Sequence, residues 1–165
     1  MDLWRHLRAI GLLPGMGIVV VPALLLWLGD GPDLDSAPRV AGGCVLAALG
    51  LLAMYRTIAL FATEGEGTLA PWDPTESLVV RGPYRHVRNP MISGVLLVLA
   101  GETLATGSQS LLIWSVSFFA VNAVWFPLVE EPGLRKRFGR DYEIYARNVP
   151  RWIPRLRPWE PSGLH

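Results

Sequence analysis

Apolar and polar positions alternate in long blocks along the first 129 residues, and the pattern then changes period. Four apolar runs stand out: Ala9 to Leu28, Val40 to Phe61, Pro90 to Ala105 and Ser110 to Val129. The first, second and fourth are long enough to cross a bilayer as helices; the third, about 16 residues, is short for a full span. Pro14 and Pro22 should distort the first helix, which a membrane helix tolerates when neighbours satisfy the freed carbonyls. A signal peptide is the competing reading of that run, but Gly29-Asp30-Gly31-Pro32-Asp33 is no small-residue cleavage site. Gly11 and Gly15, and the stretch Ala41-Gly42-Gly43, could let helices approach closely.

The connections differ in length. Thr106-Gly107-Ser108-Gln109 is a tight turn, so the third and fourth helices should form an antiparallel hairpin. Thr63 to Asn89 is a long polar loop, and loops of that length tend to be functional or disordered. Its Trp72 and Leu78-Val79-Val80 argue for an ordered loop packed on the membrane surface. Asn89-Pro90 reads as a helix start, with Asn as cap and Pro in the first turn. After Val129, Leu134, Phe138, Tyr142, Tyr145 and Val149 recur at helical spacing among arginines, which predicts an amphipathic helix over 131–148. Pro150, Pro154 and Pro158 end it.

Composition agrees with this pattern: 51% of residues are hydrophobic and only 18% are charged, which suits an integral membrane protein. The fold class expected is therefore all-α, a single membrane domain of about four transmembrane helices, with the amphipathic helix over a cytosolic pocket. The net charge of +1 conceals an asymmetry, because 8 of the 15 basic residues follow the last apolar run. With Arg5, Arg8, Arg81, Arg85 and Arg88 they fall on one side under a four-helix count, and only Arg39 falls on the other. The positive-inside rule then places both termini and the long loop in the cytoplasm. Arg56, inside the second run, either snorkels to that interface or lines a polar cavity. The single Cys44 excludes an internal disulfide and reads as a small core residue. His6, His86 and His165 are too scattered for a metal site, and no dinucleotide or P-loop glycine pattern occurs.

The chemistry gathers at the cytosolic end. The hairpin returns Glu130-Glu131 to the side of Tyr84, Arg85, His86, Arg88 and Asn89. Two adjacent carboxylates at a membrane boundary are costly unless they meet cations. They could pair with Arg88 or Arg135 and staple the fold. They could instead bind a cationic ligand whose anionic part the arginines hold, as a zwitterionic amino-acid moiety would require.

Three separated blocks carry a resemblance: Gly67-Thr68-Leu69-Ala70-Pro71; Leu78-Val79 through Gly82 and Tyr84 to Arg88-Asn89-Pro90-Met91; and Glu130-Glu131-Pro132 through Leu134 and Phe138-Gly139 to Tyr142 and Tyr145. The pattern resembles the isoprenylcysteine carboxyl methyltransferase and phospholipid methyltransferase superfamily. The resemblance implies an S-adenosyl-L-methionine-dependent integral membrane methyltransferase with a lipid-like or prenylated substrate entering from the bilayer. It implies cofactor contacts from Glu76, Ser77, Leu78, Val79, Tyr84, Asn89, Pro90, Met91 and Ile92, with Glu130, and Glu131 beside it, at the cofactor's ammonium. Arg88, the candidate catalytic residue, would hold an anionic group of cofactor or substrate. Membership implies an inner or plasma membrane of bacterial type, no nucleic-acid partner and no metal, and leaves a homodimer open. Many members have His at the place of Asn89 and Tyr at that of Ile92. The prenylcysteine enzymes of eukaryotes carry a substrate-binding Arg where Phe126 stands, which weakens that particular assignment. A phospholipid amine or a small hydrophobic thiol is the alternative acceptor. An NADPH-dependent membrane reductase and a non-enzymatic scaffold are the alternative classes. For a carboxylate or thiolate acceptor no general base is needed; for an amine, His86 or Glu131 would serve.

Overall fold

The computed structural model describes residues 11–29, 31–64 and 78–160. The described residues are helical, with turns and extended connections and no strand. Glu76, Ser77 and the block Gly67 to Pro71, all expected near the cofactor, lie outside them, as do Arg5, Arg8 and Trp72.

A π-helical stretch, Gly11–Val20, runs into α1, Val21–Leu28. Pro22 in the first turn of α1 has no N–H to offer the preceding turn, so the change of hydrogen-bond register falls where the sequence cannot supply a donor. Helix α2 is Ala37–Glu64, longer at both ends than the apolar run alone predicts, so the loop begins only after Glu64. A 3-10 turn, Gly82–Arg85, precedes α3, Pro90–Thr106, and α4 is Gln109–Trp125. A π turn, Phe126–Glu130, joins α4 to α5, Glu131–Asn148. Two segments are long and apolar enough to cross a membrane: Ala37–Leu60 and the apolar beginning of the continuous helix Gln109–Asn148. Gly15–Leu28 and Pro90–Thr106 are apolar but shorter.

The tightest packing is between α2 and α3, and glycine makes it possible. A Cβ on Gly43 would stand 2.5 Å from the Gly101 carbonyl oxygen, and one on Gly50 would stand 2.6 Å from the Gly94 carbonyl oxygen. Both pairs are seven residues apart on antiparallel helices, so the backbones touch twice along one seam. Such contact suits an environment without water, where small residues and van der Waals packing drive helix association. Beside the seam Met54 meets Val95, Val98 and Leu99. The N-terminal segment closes this core with Ile18 and receives a hydrogen bond of 3.0 Å from the Trp114 indole at the Gly17 carbonyl.

The α3–α4 hairpin turns as expected. Gly107 takes the left-handed conformation (φ 64°) that ends α3, and the Ser108 hydroxyl caps α4 at Leu111 N–H. Thr103 and Ser115 hydroxyls share a 3.0 Å bond across the pair. At this end the Arg39 guanidinium pairs with Asp33, whose N–H donates to the Thr106 carbonyl at 2.8 Å. Cys44 was expected in the core but is exposed, because it sits one residue off the glycine seam and faces outward. Arg56 is exposed too, on the outward side of α2, as snorkelling requires.

Candidate functional site

Asn89 caps α3 as its sequence position implies: its side-chain oxygen accepts from Ile92 N–H at 3.2 Å, and Pro90 fills the first turn. That cap fixes the direction in which Arg88 leaves the helix start. Arg88 reaches across the hairpin to Glu131, with Nη1 to Oε1 at 2.8 Å. The guanidinium-bearing turn and the acidic doublet are therefore at the same end of the molecule.

Glu131 is a hub. It is 1% exposed, and three guanidiniums converge on it: Arg88, Arg151 (Nε to Oε1, 2.6 Å) and Arg135 one turn along α5 (3.5 Å). One buried carboxylate facing three cations leaves local positive charge in excess. The pairing holds the Arg151 pKa above its ordinary value, because the charged form donates to Glu131. Arg88 is itself nine-tenths buried, yet its Nε has no hydrogen-bond partner among the described residues. The Tyr142 hydroxyl, also buried, lies against the Arg88 guanidinium, and burial raises its pKa more than that contact lowers it. A buried guanidinium N–H without a partner is costly unless something else satisfies it.

Glu130 behaves differently from its neighbour. It is exposed and makes no ion pair with a described residue, and its charge is felt by the Tyr84 phenol. A doublet that sequence presents as equivalent is thus divided into a buried carboxylate in ion pairs and one in none among the described residues, whose pKa desolvation and the Glu131 charge hold above the ordinary value.

The roof over this corner is built by α5. Gly139 (φ 51°, ψ −125°) breaks the helix in a conformation that L side chains rarely adopt. The second half then presents Tyr142, Tyr145 and Val149 to Val80, with Leu78, Leu134, Phe138 and Trp159 around them. The Tyr145 hydroxyl donates to the Tyr84 carbonyl at 2.8 Å, tying roof to loop. Burial raises the pKa of both phenols, with the Glu130 charge adding to the effect on Tyr84 and the neighbouring tyrosines to that on Tyr145.

The C-terminal segment supplies what the sequence did not announce. After α5 it runs back along the loop as a strap. Pro150 carbonyl accepts from Arg88 N–H at 2.9 Å, Arg155 N–H donates to the His86 carbonyl at 2.9 Å, and Trp159 N–H donates to the Arg85 carbonyl at 2.9 Å. Side chains repeat the pairing. His86 Nδ1 donates to the Arg155 carbonyl at 2.7 Å, Arg85 Nε donates to the Trp159 carbonyl at 2.8 Å, and Arg85 also pairs with Glu160. The Trp152 ring docks on α4 between Phe119 and Phe126, at 5.8 and 5.6 Å. Arg151, Trp152 and Tyr142 were not among the candidate site residues. The one signal for Arg151 was a basic residue just beyond the amphipathic helix.

Of the candidates, Leu78, Tyr84, Arg88, Asn89, Glu130 and Glu131 gather around this corner, the last buried and the one before it open. Val79 is half-buried in the adjoining loop segment. Pro90, Met91 and Ile92 form the first turn of α3, where Pro90 is buried and Met91 packs on the core. Phe126 is 3% exposed beneath Trp152. Among the described residues no group of His, Cys, Asp and Glu could hold a metal ion.

Comparison with known proteins identifies relatives and a family. Two curated relatives, each described as a probable protein-S-isoprenylcysteine O-methyltransferase, come from Oryza sativa subsp. indica and Oryza sativa subsp. japonica. Each is 33% identical over 89 residues, an alignment covering 50% of this chain and 44% of the relative. The chain thus spans less than half the length of these relatives. No solved structure gives a significant match. The family model described as phospholipid methyltransferase matches residues 38–141, from the start of α2 through the hairpin and past the Gly139 break. With most of its length matched, Arg88 and the acidic doublet included, the chain belongs to the phospholipid methyltransferase family.

Proposed function

We propose that the chain is an S-adenosylmethionine-dependent membrane methyltransferase acting on a lipophilic acceptor, in the manner of the isoprenylcysteine carboxyl methyltransferases. It would cross the membrane with four helices, with both termini and the α5 roof on the cytoplasmic side. The observation that carries the reading is the division of labour at one corner: the buried Arg88 Nε has no hydrogen-bond partner among the described residues and would serve an anion, and the Glu130 carboxylate, in no ion pair with a described residue, would serve an ammonium. That donor set fits the zwitterionic amino-acid end of the cofactor, with Asn89 to Ile92 and Leu78 to Tyr84 lining the rest.

When bound, the cofactor supplies an electrophilic methyl group on a sulfonium. The protein's part is to bind, align and keep dry. Glu131 does not hold ligand in this reading; it locks Arg88 and Arg151 in place through Arg88 Nη1 and Arg151 Nε, which leaves Arg88 Nε to meet an anionic group. A guanidinium so fixed loses little freedom on binding. The α5 tyrosines and the strap exclude water from the loop side. A carboxylate or thiolate acceptor arrives already nucleophilic, so no side chain need remove a proton. His86, the candidate base for an amine, donates a hydrogen bond from Nδ1–H to the Arg155 carbonyl and so ties the strap to the loop.

The test is thermal unfolding of detergent-purified protein with S-adenosylhomocysteine and, separately, NADPH. A ligand bound only by the folded state raises the melting temperature. Stabilisation by S-adenosylhomocysteine supports the reading. Stabilisation by NADPH alone indicates a reductase, and no shift with either indicates a scaffold.

A further inference from the structure

The strap has a second face. Ile153 is 80% exposed and Leu156 99% exposed, while Trp152 is held on Phe119 and Phe126, Arg155 on His86 and Trp159 on Arg85. The strap backbone lies at the polar corner, and the depth its side chains can reach is marked by where the Trp152 ring docks. Phe126 and Phe119 precede Glu131 by 5 and 12 residues, so at 1.5 Å per residue the ring sits roughly 8–18 Å down α4 from the polar hub. On that stretch α4 exposes Val121, Val124 and Trp125, which makes it part of the apolar belt. Exposed arginines follow in the chain, Arg140 and Arg147 on α5 and Arg157 on the strap.

We infer that the strap is an interfacial anchor: Ile153 and Leu156 enter the acyl-chain boundary of the leaflet around α4, and the arginines above them meet lipid phosphates. Apolar side chains below and cations above are the arrangement that holds a segment in the interface plane. The strap backbone need not enter the hydrocarbon. Pro154 and Pro158 have no N–H, and the 155 and 159 N–H groups are already bonded to the loop. Lipid contact thereby bears on the site, since the same strap carries Arg151 to Glu131.

Single-cysteine variants of the full chain in a Cys44→Ala background, reconstituted in vesicles of phosphatidylcholine and phosphatidylglycerol, test this. Ile153→Cys and Leu156→Cys would carry an environment-sensitive fluorophore, with Val121→Cys as the lipid reference and Lys136→Cys as the aqueous one. Both strap positions should be quenched by brominated lipid as strongly as position 121, and several-fold less by iodide than position 136. Quenching by iodide to the level of position 136 would overturn the inference, and protection from both quenchers would overturn it in favour of a protein partner. Should one strap variant fail to purify as a single species, the other decides. If position 121 is not quenched by lipid, the membrane placement itself has failed, which is a different result.

Discussion

Replacing Glu131 and Glu130 separately by Gln should give two unlike proteins. Glu131 is 1% exposed, and its removal leaves Arg88 buried opposite a neutral amide with Arg135 and Arg151 nearby. Breaking a buried ion pair by removing one partner costs about 3–5 kcal/mol. For a chain of this size each kcal/mol lowers the melting temperature by about 2–4 °C, so Glu131→Gln should melt roughly 6–20 °C early. Glu130 has no partner to lose, and an exposed substitution of that kind stays within about 0.5 kcal/mol, or about 1–2 °C. The difference appears with ligand. At a concentration of about 100 times the dissociation constant, S-adenosylhomocysteine stabilises the parent by about 2.7 kcal/mol; a tenfold loss of affinity in Glu130→Gln halves that. The assay is the melting curve of each variant, followed by tryptophan fluorescence, with and without ligand. Were Glu131→Gln to melt with the parent, or Glu130→Gln to lose as much apo stability as Glu131→Gln, the division of roles between the two carboxylates would be refuted.

Other outcomes follow from single contacts. Gly50→Leu drives a side chain into the Gly94 carbonyl and should cost about 1–3 kcal/mol or more, seen as a lowered melting temperature and loss of the monodisperse detergent peak. Tyr145→Phe removes the bond to the Tyr84 carbonyl and should cost about 1 kcal/mol, with faster amide exchange in the Gly82–Arg85 turn. Because the Tyr84 and Tyr145 pKa values are raised in the fold, the stabilisation of their neutral forms is complete below the ordinary phenol range and is lost as pH rises above about 10. Tyrosinate absorbance should therefore lag that of the unfolded chain and rise together with unfolding. Asp33 has the opposite sign: the Asp35 N–H and Arg39 hold its pKa down, so the tie to α3 should persist above the ordinary aspartate range and loosen in acid, read as increased amide exchange at Asp33 and Asp35.

The helices were legible because the bilayer imposes one rule on every apolar run, and because Asn89-Pro90 and Gly107-Ser108 mark their ends by local chemistry. The Arg88–Glu131 meeting was legible for a geometric reason: a four-residue turn leaves the hairpin no other way to close. The choice between Glu130 and Glu131 was not, since neighbours on a helix differ by about 100° of rotation and the direction of the core is a tertiary fact. The Gly43–Gly101 and Gly50–Gly94 seam was visible only as a local wealth of small residues, because its partners lie on separate helices. The strap left least trace. Its bonds to Arg85, His86 and Arg88 join irregular backbone across about 60–75 residues, and irregular pairing has no period to read.

The Glu131 hub draws its arms from chain positions 88, 135 and 151. Its last arm, from position 151, is made after the hairpin that carries the other two. Until then the newly inserted hairpin holds a buried carboxylate two-armed, and the loop beside it has no strap to lie against. Maturation of this corner is thus ordered along the chain, helix pair before strap, and excising the strap should leave a helix bundle whose working end never closes.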